Sequence, residues 1–176
     1  VPKLKLSRLM ADRQLNWVRQ DELRFHDNEL QDLSLKLFGL SLDDHNYPEV
    51  YQRLDGWVTG LILYFSSSMH KLKPDLPVAL NQLKGSFKPV FNYIDENVYQ
   101  SVPGEIQQFL IKTSILSTLR VDLCNKLLNI SNAWPVLCFL EENHIFVTLL
   151  DEETKRFKYH EIFQEFLQEK LQTGLS

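Results

Sequence analysis

Residues 143–171 read NHIFVTLLDEETKRFKYHEIFQEFLQEKL, and this stretch decides the fold. Ile145-Phe146-Val147-Thr148-Leu149-Leu150 is made of β-branched, aromatic and aliphatic residues and predicts a strand. Asp151-Glu152-Glu153-Thr154 is a polar turn, and Arg156 to Tyr159 predicts the second strand of a β-hairpin. Ile162, Phe163, Phe166, Leu167 and Leu171 then recur at helical spacing. Helices, a hairpin and a closing helix in that order suit a winged-helix fold.

Working back from the hairpin, Val121 to Leu128 and Trp134 to Glu142 predict two short helices. Pro103 sits at the first turn of an earlier helix that turns Ile106, Phe109, Leu110 and Thr113 inward. Phe87, Val90, Phe91, Ile94 and Val98 mark the helix before it, and these two are expected to pack as an antiparallel pair. The stretch Lys71 to Gly85 holds Pro74, Pro77 and Gly85 and reads as a connection, which puts a boundary near residue 85.

Ahead of that boundary, Asp27 is a candidate cap for a helix with Leu30, Leu33 and Leu37 on one stripe, closed by Gly39. Pro48 begins another helical turn, and Leu54, Trp57, Leu61 and Phe65 continue from Val50 at helical spacing past Gly56 and Gly60. Each glycine inside a helix costs about 1 kcal/mol against alanine, so close backbone approach is expected there. At the N-terminus, Leu4, Leu6, Leu9 and Met10 predict a short helix, and Gln14-Leu15-Asn16-Trp17-Val18 alternates like a strand, together the tail of an α/β unit. The fold class is therefore mainly α, a small helical domain followed by a winged-helix domain with one β-hairpin.

Of the 176 residues, 44% are hydrophobic, enough for real cores. The net charge of −4, with acids and bases interspersed, gives neither a disordered chain nor a strongly basic surface for nucleic acid. No apolar run approaches the ~20 residues of a membrane helix, and a cytoplasmic chain without membrane contact is expected. The chain starts at Val1 inside a Pro-Lys-Leu pattern, and a segment of a longer protein is expected. Cys124 and Cys138, both within apolar helical patterns, read as buried free thiols.

Catalytic sets do not assemble. The glycines never reach phosphate-loop spacing and no Gly-Lys-Ser/Thr triplet occurs. The acidic pairs Asp43-Asp44, Asp95-Glu96 and Glu141-Glu142 are sequence neighbours, about 100° apart on a helix, and read as solvated caps and faces. His26, His45, His70, His144 and His160 lack companions at metal-ligand spacing, so neither an enzyme nor a metal site is expected. His160 is distinguished by its place where the hairpin meets the last helix. An imidazole at a helix N-terminus is suited to a phosphate oxygen, and equally to a capping or half-buried role.

Leu23-Arg24-Phe25 with Glu29, Asp55-Gly56-Trp57 with Gly60-Leu61, Phe109-Leu110 with Thr113-Ser114-Ile115-Leu116, Leu123-Cys124, and Asn143-His144-Ile145-Phe146 leading to Tyr159-His160-Glu161-Ile162-Phe163 and Phe166-Leu167 occur in order along nearly the whole chain. Together they resemble the region downstream of the nucleotide-binding core in STAND-class ATPases of the maltose-regulon-activator type, the large LuxR-type regulators. The resemblance implies that residues 1–25 end a nucleotide-binding domain, residues 26–85 form a helical domain and residues 86–176 a winged-helix domain. It implies ADP or ATP in the full-length parent and none for the isolated segment. It also implies an upstream nucleotide-binding domain in cis, self-association on activation, and DNA contact only through a separate domain.

In such proteins a winged-helix histidine touches the β-phosphate of ADP and holds the closed resting state, and His160 matches it in its Tyr-His-x-x-Phe context. Gly60-Leu61-Ile62-Leu63 resembles the Gly-Leu-Pro-Leu segment that lines adenine, with Ile62 in place of proline. Gly60 and Ile62 thus join His160 as nucleotide-site candidates, and Trp57 and Phe163 are either its neighbours or core. Two other functions compete. A helical adaptor with no nucleotide role would bury His160 in a packed interior, whereas a DNA reader would need basic residues on the short helices and the wing, where Glu141, Glu142 and Asp151-Glu152-Glu153 stand.

Overall fold

The computed structural model describes residues 6–14, 16, 18, 21–39, 47–69 and 87–174. α1 (Leu6–Ala11) forms where the leucines predict it. The strand expected over 14–18 does not follow: Gln14, Asn16 and Val18 have no regular structure, and Leu15 and Trp17 lie outside the described residues. A strand needs a paired neighbour, and the sheet among the described residues lies elsewhere.

α2 (Asp27–Phe38) ends as expected at Gly39, which takes the left-handed conformation at φ 64°. Its cap is His26, one residue before Asp27, whose backbone N–H donates to the Glu29 carboxylate at 2.9 Å. The buried stripe runs through Leu30, Ser34 and Phe38, leaving Leu37 exposed. The continuous pattern from Val50 to Phe65 is in fact two helices, α3 (Tyr47–Leu54) and α4 (Val58–Met69). Asp55 at φ 47° and Gly56 at φ 69° break the helix between them. The connection expected at 71–85, with its boundary, lies outside the described residues, as does Asp43-Asp44.

α5 (Lys88–Ile94) continues as a π turn over Asp95–Tyr99, a feature absent from the helical pattern. α6 (Gly104–Thr113) follows, with Pro103 as its N-cap. Its main partners are α9 (Glu161–Gly174) and α7 (Val121–Leu128). The antiparallel pair expected with α5 is replaced by this packing because the chain turns through Gln100–Pro103 after the π turn. α8 (Ala133–Glu142) completes the helical set of the winged helix.

A short strand that the sequence pattern did not announce, β1 (Leu119–Arg120), joins β2 (Val147–Asp151) and β3 (Arg156–Tyr159) in an antiparallel sheet of order β1-β3-β2. Val147 pairs with Tyr159 and Leu119 with Phe157. β2 starts later than expected because His144 and Phe146 have positive φ, 55° and 50°. The order helix, strand, two helices, hairpin is that of a winged helix.

One continuous core joins these parts. Leu30, Leu54 and Leu61 from the first helices meet Val90 and Ile94, and the same cluster runs through Leu110, Leu137, Phe157 and Phe163. Each fully buried aliphatic side chain stabilises the fold by about 1.5–3 kcal/mol. At its centre the Thr113 hydroxyl donates to the Phe109 carbonyl and lies 2.7 Å from the Tyr159 hydroxyl, so two buried polar groups satisfy each other.

Candidate functional site

Two sequence motifs prove to be one structural unit. Phe25 N–H donates to the Gly56 carbonyl at 3.2 Å, and the Tyr51 hydroxyl donates to the Phe25 carbonyl at 2.9 Å. Arg24 pairs with Asp55 at 2.5 Å. A Cβ at Gly56 would stand 2.8 Å from the Phe25 carbonyl oxygen, so both its positive φ and its lack of a side chain are used.

This unit forms one wall of a cleft of about 680 Å³. Arg24, Asp55, Gly56 and Trp57 line that wall, and His144, Phe146, Lys158 and His160 line the one opposite. Tyr93 contributes from α5. Aromatic edges join the two sides: Trp57 meets Phe146 at 5.0 Å and Tyr93 at 5.9 Å, and Phe146 stacks on Phe163 at 5.2 Å.

His160 stands where β3 ends and α9 begins. Its carbonyl accepts from the N–H groups of Phe163 and Gln164, and its own N–H donates to the Phe146 carbonyl at 2.8 Å. The ring lies edge-on to Phe146 at 5.6 Å. Its Nδ1 is shielded from solvent and has no hydrogen-bond partner among the described residues. Burial is the main cause that lowers its pKa; Arg24 and Lys158 push the same way, whereas Asp55 and a hydrogen bond to the Leu54 backbone favour the protonated form. A neutral imidazole offers one N–H and one lone pair, so an anion that contacts the lone pair must bring a proton with it.

The other candidates do not share the cleft wall. Gly60 is buried beneath Trp57, where a Cβ would stand 2.4 Å from Trp57 Cε3. Ile62 is half-buried farther along α4. Trp57 lines the cleft, whereas Phe163 is fully buried core. Cys124 is buried and its thiol is pushed up to about 11 by that burial, while Cys138 is only half-buried; both are free. Sequence reasoning missed Arg24, Lys158 and Tyr93 as wall residues, because nothing in their spacing links segments so far apart in the chain.

The basic residues that a DNA-reading winged helix would offer are largely engaged. Arg120 pairs with Asp122 at 2.7 Å, Arg156 with Asp151 at 3.2 Å, and Lys155 lies 5.1 Å over the Trp134 ring. Among the described residues no three His, Cys, Asp or Glu side chains gather around a metal position, and no helix is long and apolar enough to cross a membrane.

Residues 95–176 match the family model of the MalT winged helix domain. The chain is 25% identical over 171 residues to the serine/threonine-protein kinase PknK of Mycobacterium tuberculosis (strain ATCC 25618 / H37Rv), covering 97% of the chain and 15% of that protein. It is 23% identical over 176 residues to the HTH-type transcriptional regulators MalT of Yersinia pestis (strain Pestoides F) and Yersinia pseudotuberculosis serotype O:3 (strain YPIII), covering all of the chain and 20% of each. The chain thus spans a fifth or less of the length of these relatives. Through residues 95–176 it carries a winged helix domain of the MalT type, and along its whole length it is similar to MalT regulators.

Proposed function

We propose that this chain is the nucleotide-sensing segment of an ATP-dependent transcriptional regulator of the STAND, LuxR-type class, closing on ADP at rest and opening on activation. The observation that carries this reading is His160, which lines the cleft and whose Nδ1 no group among the described residues satisfies. An upstream nucleotide-binding domain would hold most of the ADP or ATP, with the β-phosphate reaching His160. The phosphate stabilises the protonated imidazole, so ADP binding takes up a proton. ADP shifts the equilibrium toward the closed state only by the extra affinity that this contact gives it. Gly60 supports the site indirectly by seating Trp57, and Ile62 keeps its assignment to the adenine region. Release of the winged helix would then expose surfaces for self-association, with DNA bound by a separate domain.

In the full-length regulator, His160→Ala is expected to weaken ADP retention by roughly tenfold, the loss of a charge-assisted hydrogen bond of about 1.5–3 kcal/mol being partly offset. Basal transcriptional activity should rise. Unchanged ADP retention together with unchanged basal activity would refute the reading.

A second reading, a protein-interaction adaptor with no nucleotide role, is favoured by one observation. Leu123 and Leu127 on α7 and Phe139 on α8 are exposed where a DNA reader would carry basic residues. Its mark would be a stable protein complex that His160→Ala leaves intact.

A further inference from the structure

We propose that Arg53 and Glu165 form a latch that holds the two walls of the cleft together, and that breaking it lets the α3–α4 hairpin part from the winged helix while both stay folded. Arg53 lies in the last turn of α3 and Glu165 in the second turn of α9, 112 residues away. Arg53 Nε donates to Glu165 Oε1 at 3.1 Å, and Nη2 donates to Oε2, a bidentate arrangement. The guanidinium also lies 3.8 Å over the centroid of the Phe87 ring. Both side chains are largely withdrawn from water, 25% and 32% exposed.

An ordinary surface ion pair contributes little, because water and salt screen it and two long side chains must be ordered. This one differs on each count. The fork geometry matches the carboxylate, and the aromatic face already holds the guanidinium in place.

Its position gives the pair its consequence. Arg53 precedes Leu54, whose backbone binds the His160 ring, and Asp55 of the cleft wall. Glu165 follows His160 on α9. A motion that parts the end of α3 from the start of α9 therefore pulls Arg53 from Glu165. The Arg24–Asp55 bridge stays within one wall, and Lys170–Asp95 joins α9 to the π turn on the other side, whereas Arg53–Glu165 crosses. The apolar contact of Trp57 with Phe146 also crosses, but it is non-directional and tolerates sliding that a bidentate ion pair does not.

The latch deepens the proposed function, resting on that reading for the consequence of opening, yet it is tested without nucleotide. Amide hydrogen exchange is measured on the whole chain for wild type, Glu165→Gln, Arg53→Met, which keeps an apolar stem over Phe87, and the double variant R53E/E165R. Expected is exchange about tenfold faster or more across residues 47–69 in the single variants, wild-type rates across 104–113 and 161–167, and recovery in the double variant. Unchanged rates, an equal acceleration along the whole chain, or a double variant as loose as the singles would each overturn the latch. Unaltered ADP retention together with unaltered basal activity in His160→Ala would refute the nucleotide reading and leave the latch standing.

Discussion

At Gly60 the packing leaves no room for a methyl group, since a Cβ would meet the Trp57 ring at 2.4 Å and Leu54 Cδ2 at 2.9 Å. Gly60→Ala gains about 1 kcal/mol of helix propensity but adds overpacking strain of about 1–3 kcal/mol. We expect net destabilisation in chemical denaturation, with a shift in Trp57 fluorescence as the ring moves. His160 makes a different prediction. Its folded pKa lies below the ordinary 6.5, so the unfolded chain binds more protons in the window between the two values. This contribution to stability is present above pH 6.5, is lost as pH falls, and stops changing below the folded pKa. The imidazole titration followed by NMR should therefore sit below 6.5, and His160→Gln should lose less stability than wild type between pH 7 and 5. A titration at or above 6.5 would contradict the buried environment.

At the scale of elements, the buried Thr113–Tyr159 pair ties α6 to β3. Burial raises the Tyr159 pKa, and the hydrogen bond to Thr113 partly offsets it. Thr113→Val alone strands the Tyr159 hydroxyl and is expected to cost about 1–3 kcal/mol, Tyr159→Phe leaves Thr113 donating to the Phe109 carbonyl and should cost less, and the double variant should cost less than the sum. A double-mutant cycle by urea denaturation checks this, and strict additivity would show that the two hydroxyls act independently. Element types were largely legible in the sequence: β3 and α7 match their expected spans because local alternation and spacing set them. The misses have two causes. The break at Asp55-Gly56 is imposed by the docking of Phe25, which is distant in sequence, and β1 exists only because β3 lies beside it. Neither the π turn nor the shift of the α2 cap to His26 leaves a periodic signature.

For the whole molecule, the core cluster runs without interruption from Leu30 to Leu167. Continuous packing of this kind predicts cooperative unfolding in the wild type. Signals assigned to Trp57, on the cleft, and Trp134, on α8, should change at one urea concentration, measured with single-Trp variants that retain each in turn. Separate midpoints would show that the helices before residue 70 fold independently of the winged helix. If the latch acts as proposed, Glu165→Gln should separate those midpoints.

By itself the sequence determined the mainly helical class, the hairpin with its closing helix, and the place of His160 at their junction, since all three depend on neighbours within a few residues. Only the tertiary structure decided that Arg24, Trp57, Lys158 and His160 line one cleft, that Gly60 serves the seating of Trp57, and that Arg53 meets Glu165. Those relations join segments far apart in the chain, 112 residues for Arg53 and Glu165, and they are set by how faces pack and not by any periodicity along the chain.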